Sequence, residues 1–235
     1  MAFNFEDFQE ETAPNKELLM AHLSMEETLK LLKGDFNPEK TCYEITIIGD
    51  ITAGQIKELT LLNFEVEITE KFGKPVLTTG EKNSTKGVDD NYASYYRVIN
   101  SDLSFHTHPI LKDHGGPSFP DLITASLRKN KKPSLIAHIG GITIYQKPQI
   151  NPLTNEQYTG DPRDLILIYS RACKIDISGM SKDENLRKWN DLTIEEKIAF
   201  ENDFAEKSGA IIREIPWEDE EGIKEAMDYI NLKKD

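Results

Sequence analysis

The chain has 235 residues, with 28 Lys and Arg against 41 Asp and Glu for a formal charge of −13, and 38% of it is hydrophobic. That length suits one large domain or two small ones. The acid excess repels phosphate, which argues against nucleic acid or an anionic membrane as the partner. No apolar run approaches the ~18 residues of a membrane helix.

The first residues, MAFNFEDFQEETAPNK, carry acids where a signal peptide carries bases, so an intracellular, cytoplasmic protein is expected. Cys42 and Cys173 are too few and too isolated for a disulfide framework or a cysteine-based zinc knuckle, and both read as buried thiols. The histidines are more informative. There are five, and three of them, His106, His108 and His114, fall within nine residues.

In chain order, residues 1–23 read as a flexible acidic arm. Ser24 and Glu27 make a capping box for a helix from Met25 to Lys33, and Gly34 ends it. Tyr43 to Ile48 is a short apolar strand, followed by a helix over 53–62. Phe64, Val66 and Ile68 alternate with Glu65, Glu67 and Thr69, the pattern of a strand with one polar face. Lys71-Phe72-Gly73-Lys74-Pro75 then supplies turn chemistry for a hairpin over 64–80. Residues 81–91 are polar and read as a loop, 92–99 as a strand or short helix, and 103–108 as a strand stopped by Pro109. A helical pattern covers 121–129, and strands at 134–139 and 142–146 flank Gly140-Gly141. Residues 147–164 suit a long surface loop, 164–177 is strand-like, and 180–190 is polar. Thr193 and Glu196 form a second capping box for a helix to about 207. The strand 210–217 and a helix opened by Glu218 to Glu221 close the chain.

The segment from Ser104 to Asp121 concentrates the chemistry. In an extended strand His106 and His108 point to one face and can present two imidazoles to one ion. Pro109 ends that strand, and a Gly115-Gly116-Pro117 loop brings Ser118 and Asp121 back. Two His and one carboxylate, with water in the fourth place, is a usual ligand set for catalytic zinc. Against this, a His-x-His pair on an exposed strand and an Asp before a helix each occur without any ligand. His114 reads as solvent-facing and His138, inside an apolar strand, as a core residue.

His106-Thr107-His108-Pro109, followed by Ser118-Phe119-Pro120-Asp121 and a helix, resembles the signature of the JAMM metalloproteases, also called the MPN or JAB domain. The intervening loop, Ile110 to Pro117, is longer than the family's usual one and leaves the ligand types intact. The likeness extends over about residues 52–147, through the helix after Asp121 and the strands that follow it. It implies a cytidine-deaminase-like JAB/MPN fold: an α/β chain of the α+β type, a mixed β-sheet flanked by helices. The core would span 24–147; beyond the resemblance, the strand and helix alternation over 148–235 reads as an α/β extension of the same domain, with a separate binding module as the alternative.

The resemblance also implies Zn2+ held by His106, His108 and Asp121, a glutamate as general base, and Ser118 as hydrogen-bond donor to the oxyanion. Glu65, which opens the strand after the helix 53–62, is the first candidate for the base. Glu67 on the same face is the second and Glu44 the third, while Glu70 and Glu81 sit at turns. Taken singly, each of these glutamates reads as part of a solvated strand face. The implied activity is hydrolysis of a peptide or isopeptide bond in a protein or peptide substrate, at a ubiquitin-like modifier among others, to which an acidic enzyme is electrostatically suited if the modifier is basic. The alternative is an MPN-like metal-binding scaffold without catalysis. A cupin would want a further acid and a later His, and an amidohydrolase barrel a longer chain.

Overall fold

In a computed structural model of the chain, which describes residues 17–34, 36–37, 40–79, 101–109, 116–117, 121, 125, 128, 132–146, 193, 195–196, 199 and 210–233, the first helix starts where its cap requires. Ser24 accepts from the Glu27 amide while the Glu27 carboxylate accepts from the Ser24 amide, and α1 runs Met25–Lys33. Met25, Leu29 and Leu32 form its buried stripe. Helix α2, Ala53–Leu59, opens on the same kind of box between Thr52 and Gln55. It stops short of the expected Leu62 because Leu61 and Leu62 donate to carbonyls three residues back, tightening the last turn. The final helix α3, Glu220–Ile230, is capped by Asp219, whose side chain accepts from the Gly222 amide.

The strands are β1 Glu17–Ser24, β2 Thr41–Ile48, β3 Val66–Lys71, β4 Lys74–Thr79, β5 Ser104–Thr107, β6 Ser134–His138, β7 Gly141–Tyr145 and β8 Ile212–Pro216. They form one eight-stranded sheet in the order β1-β2-β4-β3-β5-β6-β7-β8. The β1–β2 and β5–β6 pairs are parallel and the other five antiparallel. The chain is therefore α/β, as the alternation of strand and helix patterns indicated, and its sheet is mixed. The predicted acidic arm is corrected in its second part: Glu17–Ser24 is a strand, registered residue for residue on β2.

The β3–β4 hairpin turns through Phe72 and Gly73, both at positive φ (57° and 74°), the type I′ geometry that suits the twist of paired strands. The Thr193 capping box is also present, with the Thr193 amide donating to the Glu196 carboxylate at 2.8 Å and the Glu196 amide to the Thr193 hydroxyl at 3.2 Å.

One face of the sheet is apolar. Ile45, Ile47, Leu77, Val66, Ile68, Phe105, Leu135, Ala137, Ile142 and Ile215 pack there against α1, α2 and α3 in a single core. Among the described residues no helix is long and apolar enough to cross a membrane. Cys42 is buried, as expected, and Cys173 lies outside the described residues. So do the segments expected as a loop at 81–91, an element at 92–99 and the run 147–190.

Candidate metal centre

The opposite face carries polar residues in rows, because directly paired residues project to the same side. Register places Glu44, Thr78, Glu67, His106, Ile136 and Thr143 in one row across six strands. His108, two residues beyond His106, shares that face. Its amide donates to the Ala137 carbonyl at 2.8 Å, which keeps the strand extended past Thr107. Asp121 is helical.

These three residues converge. His106 Nε2 and His108 Nε2 are 3.2 Å apart, His106 Nε2 is 3.2 Å from Asp121 Oδ1, and His108 Nε2 is 3.6 Å from Asp121 Oδ2. Bonds of about 2.0–2.1 Å at tetrahedral angles set neighbouring zinc donors about 3.4 Å apart, close to the 3.2 Å between the two imidazole nitrogens, while Asp121 meets the two rings through different oxygens. Between two facing imidazole nitrogens there is room for only one proton, whereas a cation accepts both lone pairs. The group can thus hold a metal ion. The His108 side chain is 1% exposed, that of His106 12% and that of Asp121 18%, which leaves the His106 and Asp121 side open to a further ligand. Burial alone would raise the Asp121 carboxyl, but the facing His106 and His108 rings hold it well below the usual carboxylate range.

The candidate bases separate by geometry. Glu67 pairs directly with His106 across β3 and β5, and Glu65 lies two residues before it on the same face. Both are buried, at 8% and 4% exposure, which corrects the expectation of a solvated strand face. Glu65 precedes β3 by one residue instead of opening it, because the Val66 amide donates to the Thr107 hydroxyl at 3.0 Å in place of a ladder bond. Glu44 is in the row but three strand spacings from His106, about 14 Å, and its carboxylate is 2.6 Å from Lys71 Nζ. Glu70 faces the other way and accepts from the Gly73 amide in the turn. Ser118, Glu81 and His114 lie outside the described residues.

His138 is not a core residue. It is partly exposed at the end of β6, and its ring accepts from the Gly140 amide at 3.2 Å through Nδ1 and meets the Thr143 hydroxyl at 3.2 Å through Nε2. Two further residues of this region escaped the sequence reading. Burial pushes the Tyr145 hydroxyl well above its ordinary range, the Asp121 carboxylate pushes it the same way, and a hydrogen bond with the Ser134 side chain works against both. Ser134 in turn accepts from buried Arg128 at 3.0 Å. The register Ser134↔Tyr145 was the available signal, but it depends on knowing that β6 and β7 pair.

No protein-family model matches the chain, no curated protein is similar to it, and no solved structure matches it. Fold and site together define an α/β protein with a mixed sheet and a His-His-Asp group able to hold a metal ion.

Proposed function

We propose that the chain is a zinc-dependent metallohydrolase of the JAMM type, built on the JAB/MPN fold, that cleaves a peptide or isopeptide bond in a protein substrate such as a ubiquitin-like conjugate. The observation that carries this reading is the convergence of His106 Nε2, His108 Nε2 and the Asp121 carboxylate at 3.2–3.6 Å, with two buried glutamates at and just before the paired strand β3.

His106, His108 and Asp121 would hold the ion. When bound, zinc supplies Lewis acidity toward a carbonyl oxygen and toward water. Glu65 takes a proton from the attacking water and returns it to the leaving amine, a task that needs a carboxylate within reach of both. A low-exposure setting strengthens each of these interactions relative to water. Ser118, carried over from the resemblance, donates to the oxyanion of the tetrahedral intermediate.

The test is cleavage of ubiquitin-like conjugates and of unmodified peptides by wild type, by His106→Ala and by wild type stripped with a chelator. Cleavage confined to the zinc-loaded wild type is the expected result. Zinc binding without cleavage of either substrate class would favour the non-catalytic scaffold.

A further inference from the structure

His106 turns Nε2 toward both His108 and Asp121, each at 3.2 Å. A neutral imidazole that ligates through Nε2 carries its proton on Nδ1, and that N–H needs an acceptor to fix the plane of the ring. The residue directly opposite His106 in the β3–β5 ladder is Glu67. Side chains opposite each other in an antiparallel pair start with Cβ atoms about 4.5–5.5 Å apart, within reach of a carboxylate and an imidazole. Glu67 is also buried, at 8% exposure, and a carboxylate removed from water is stable only when donors are aimed at it. One hydrogen bond meets both requirements.

Glu65 does not share this placement. The β3–β5 ladder ends at Glu67↔His106, and the Val66 amide turns to the Thr107 hydroxyl, so Glu65 stands past the end of the paired strands. Resting on the metal-site reading above, the geometry points to a division of labour between the two glutamates: Glu67 is the positioning residue of His106, accepting its Nδ1–H and holding Nε2 on the metal, and Glu65 is left as the base.

The experiment measures zinc affinity of the full chain by competition with a chromogenic chelator, for wild type, Glu67→Leu, Glu67→Gln and Glu65→Gln, together with the imidazole nitrogen resonances of zinc-loaded wild type. Loss of an outer-sphere acceptor of a ligating histidine costs about 10–100-fold in metal affinity, the expected loss for Glu67→Leu. Glu67→Gln keeps an amide oxygen that accepts Nδ1–H and recovers most of that loss, and Glu65→Gln binds zinc as wild type does. The His106 resonances report a protonated Nδ1 and a metal-bound Nε2. Wild-type affinity in a folded Glu67→Leu would overturn the assignment of Glu67 while leaving the metal site intact, whereas a zinc-loaded His106 ring protonated at Nε2 would overturn both the assignment and ligation through Nε2. Failure of wild type itself to bind zinc would overturn the metal site and this inference together.

Discussion

Asn231 brackets Ile51. Its side-chain oxygen accepts from the Ile51 amide at 2.7 Å and its side-chain nitrogen donates to the Ile51 carbonyl at 2.9 Å, across 180 residues of sequence. This pair ties the end of α3 to the segment that leads into α2, and β8 completes the same sheet beside β7, so the last residues belong to the core that supports the site. Asn231→Ala removes both bonds beside a buried residue and is expected to cost about 2 kcal/mol, read as a lower denaturant midpoint at constant slope. A change within about 0.5 kcal/mol would mean that the bracket is dispensable.

Phe72 predicts a gain. It occupies a positive-φ position in the hairpin turn and is 92% exposed, so its ring contributes no packing to offset the strain. Phe72→Asn suits the type I′ turn and is expected to stabilise by about 0.5–1 kcal/mol in thermal or denaturant unfolding. Destabilisation would show that the ring is held by contacts the turn geometry does not reveal.

Arg128 predicts a large loss. It is buried and donates to the Pro133 carbonyl at 2.8 Å, the Ser101 carbonyl at 2.9 Å and the Ser134 hydroxyl at 3.0 Å, while Tyr229 donates to the Pro133 and Asp102 carbonyls at 3.0 Å each. Together they clamp the starts of β5 and β6, the strands that carry and back the histidine pair. Arg128→Met strands buried acceptors and is expected to cost about 3 kcal/mol or more, against about 1 kcal/mol for Tyr229→Phe. Equal effects of the two would contradict the charge-assisted role given to Arg128.

Glu65 predicts a separation of binding from catalysis. Glu65→Gln should retain zinc and lower the cleavage rate about 10²–10⁴-fold, the usual contribution of a general base. Undiminished cleavage by the variant would remove Glu65 from the mechanism.

The sequence made local features legible and non-local ones not. The bounds of α1 could be read because Ser24, Glu27 and Gly34 act within a few residues. Strand β1 could not, because Glu17, Leu18, Leu19, Met20 and Ala21 favour helix intrinsically, and only eight registered partners on β2 make them a strand. His106, His108 and Asp121 were visible from ligand spacing, but their convergence is a tertiary contact that spacing alone does not fix. The alternation of Glu65 and Glu67 with apolar residues announced a polar face correctly. That the face is buried depends on the rest of the fold, and strand periodicity says nothing about it.

The most direct test of the account is the metal content of the purified protein, measured together with the three ligand substitutions. Wild type is expected to hold about one zinc per chain, and His106→Ala, His108→Ala and Asp121→Ala to lose it while remaining folded. A folded wild type that neither carries zinc nor binds it on titration would contradict the account.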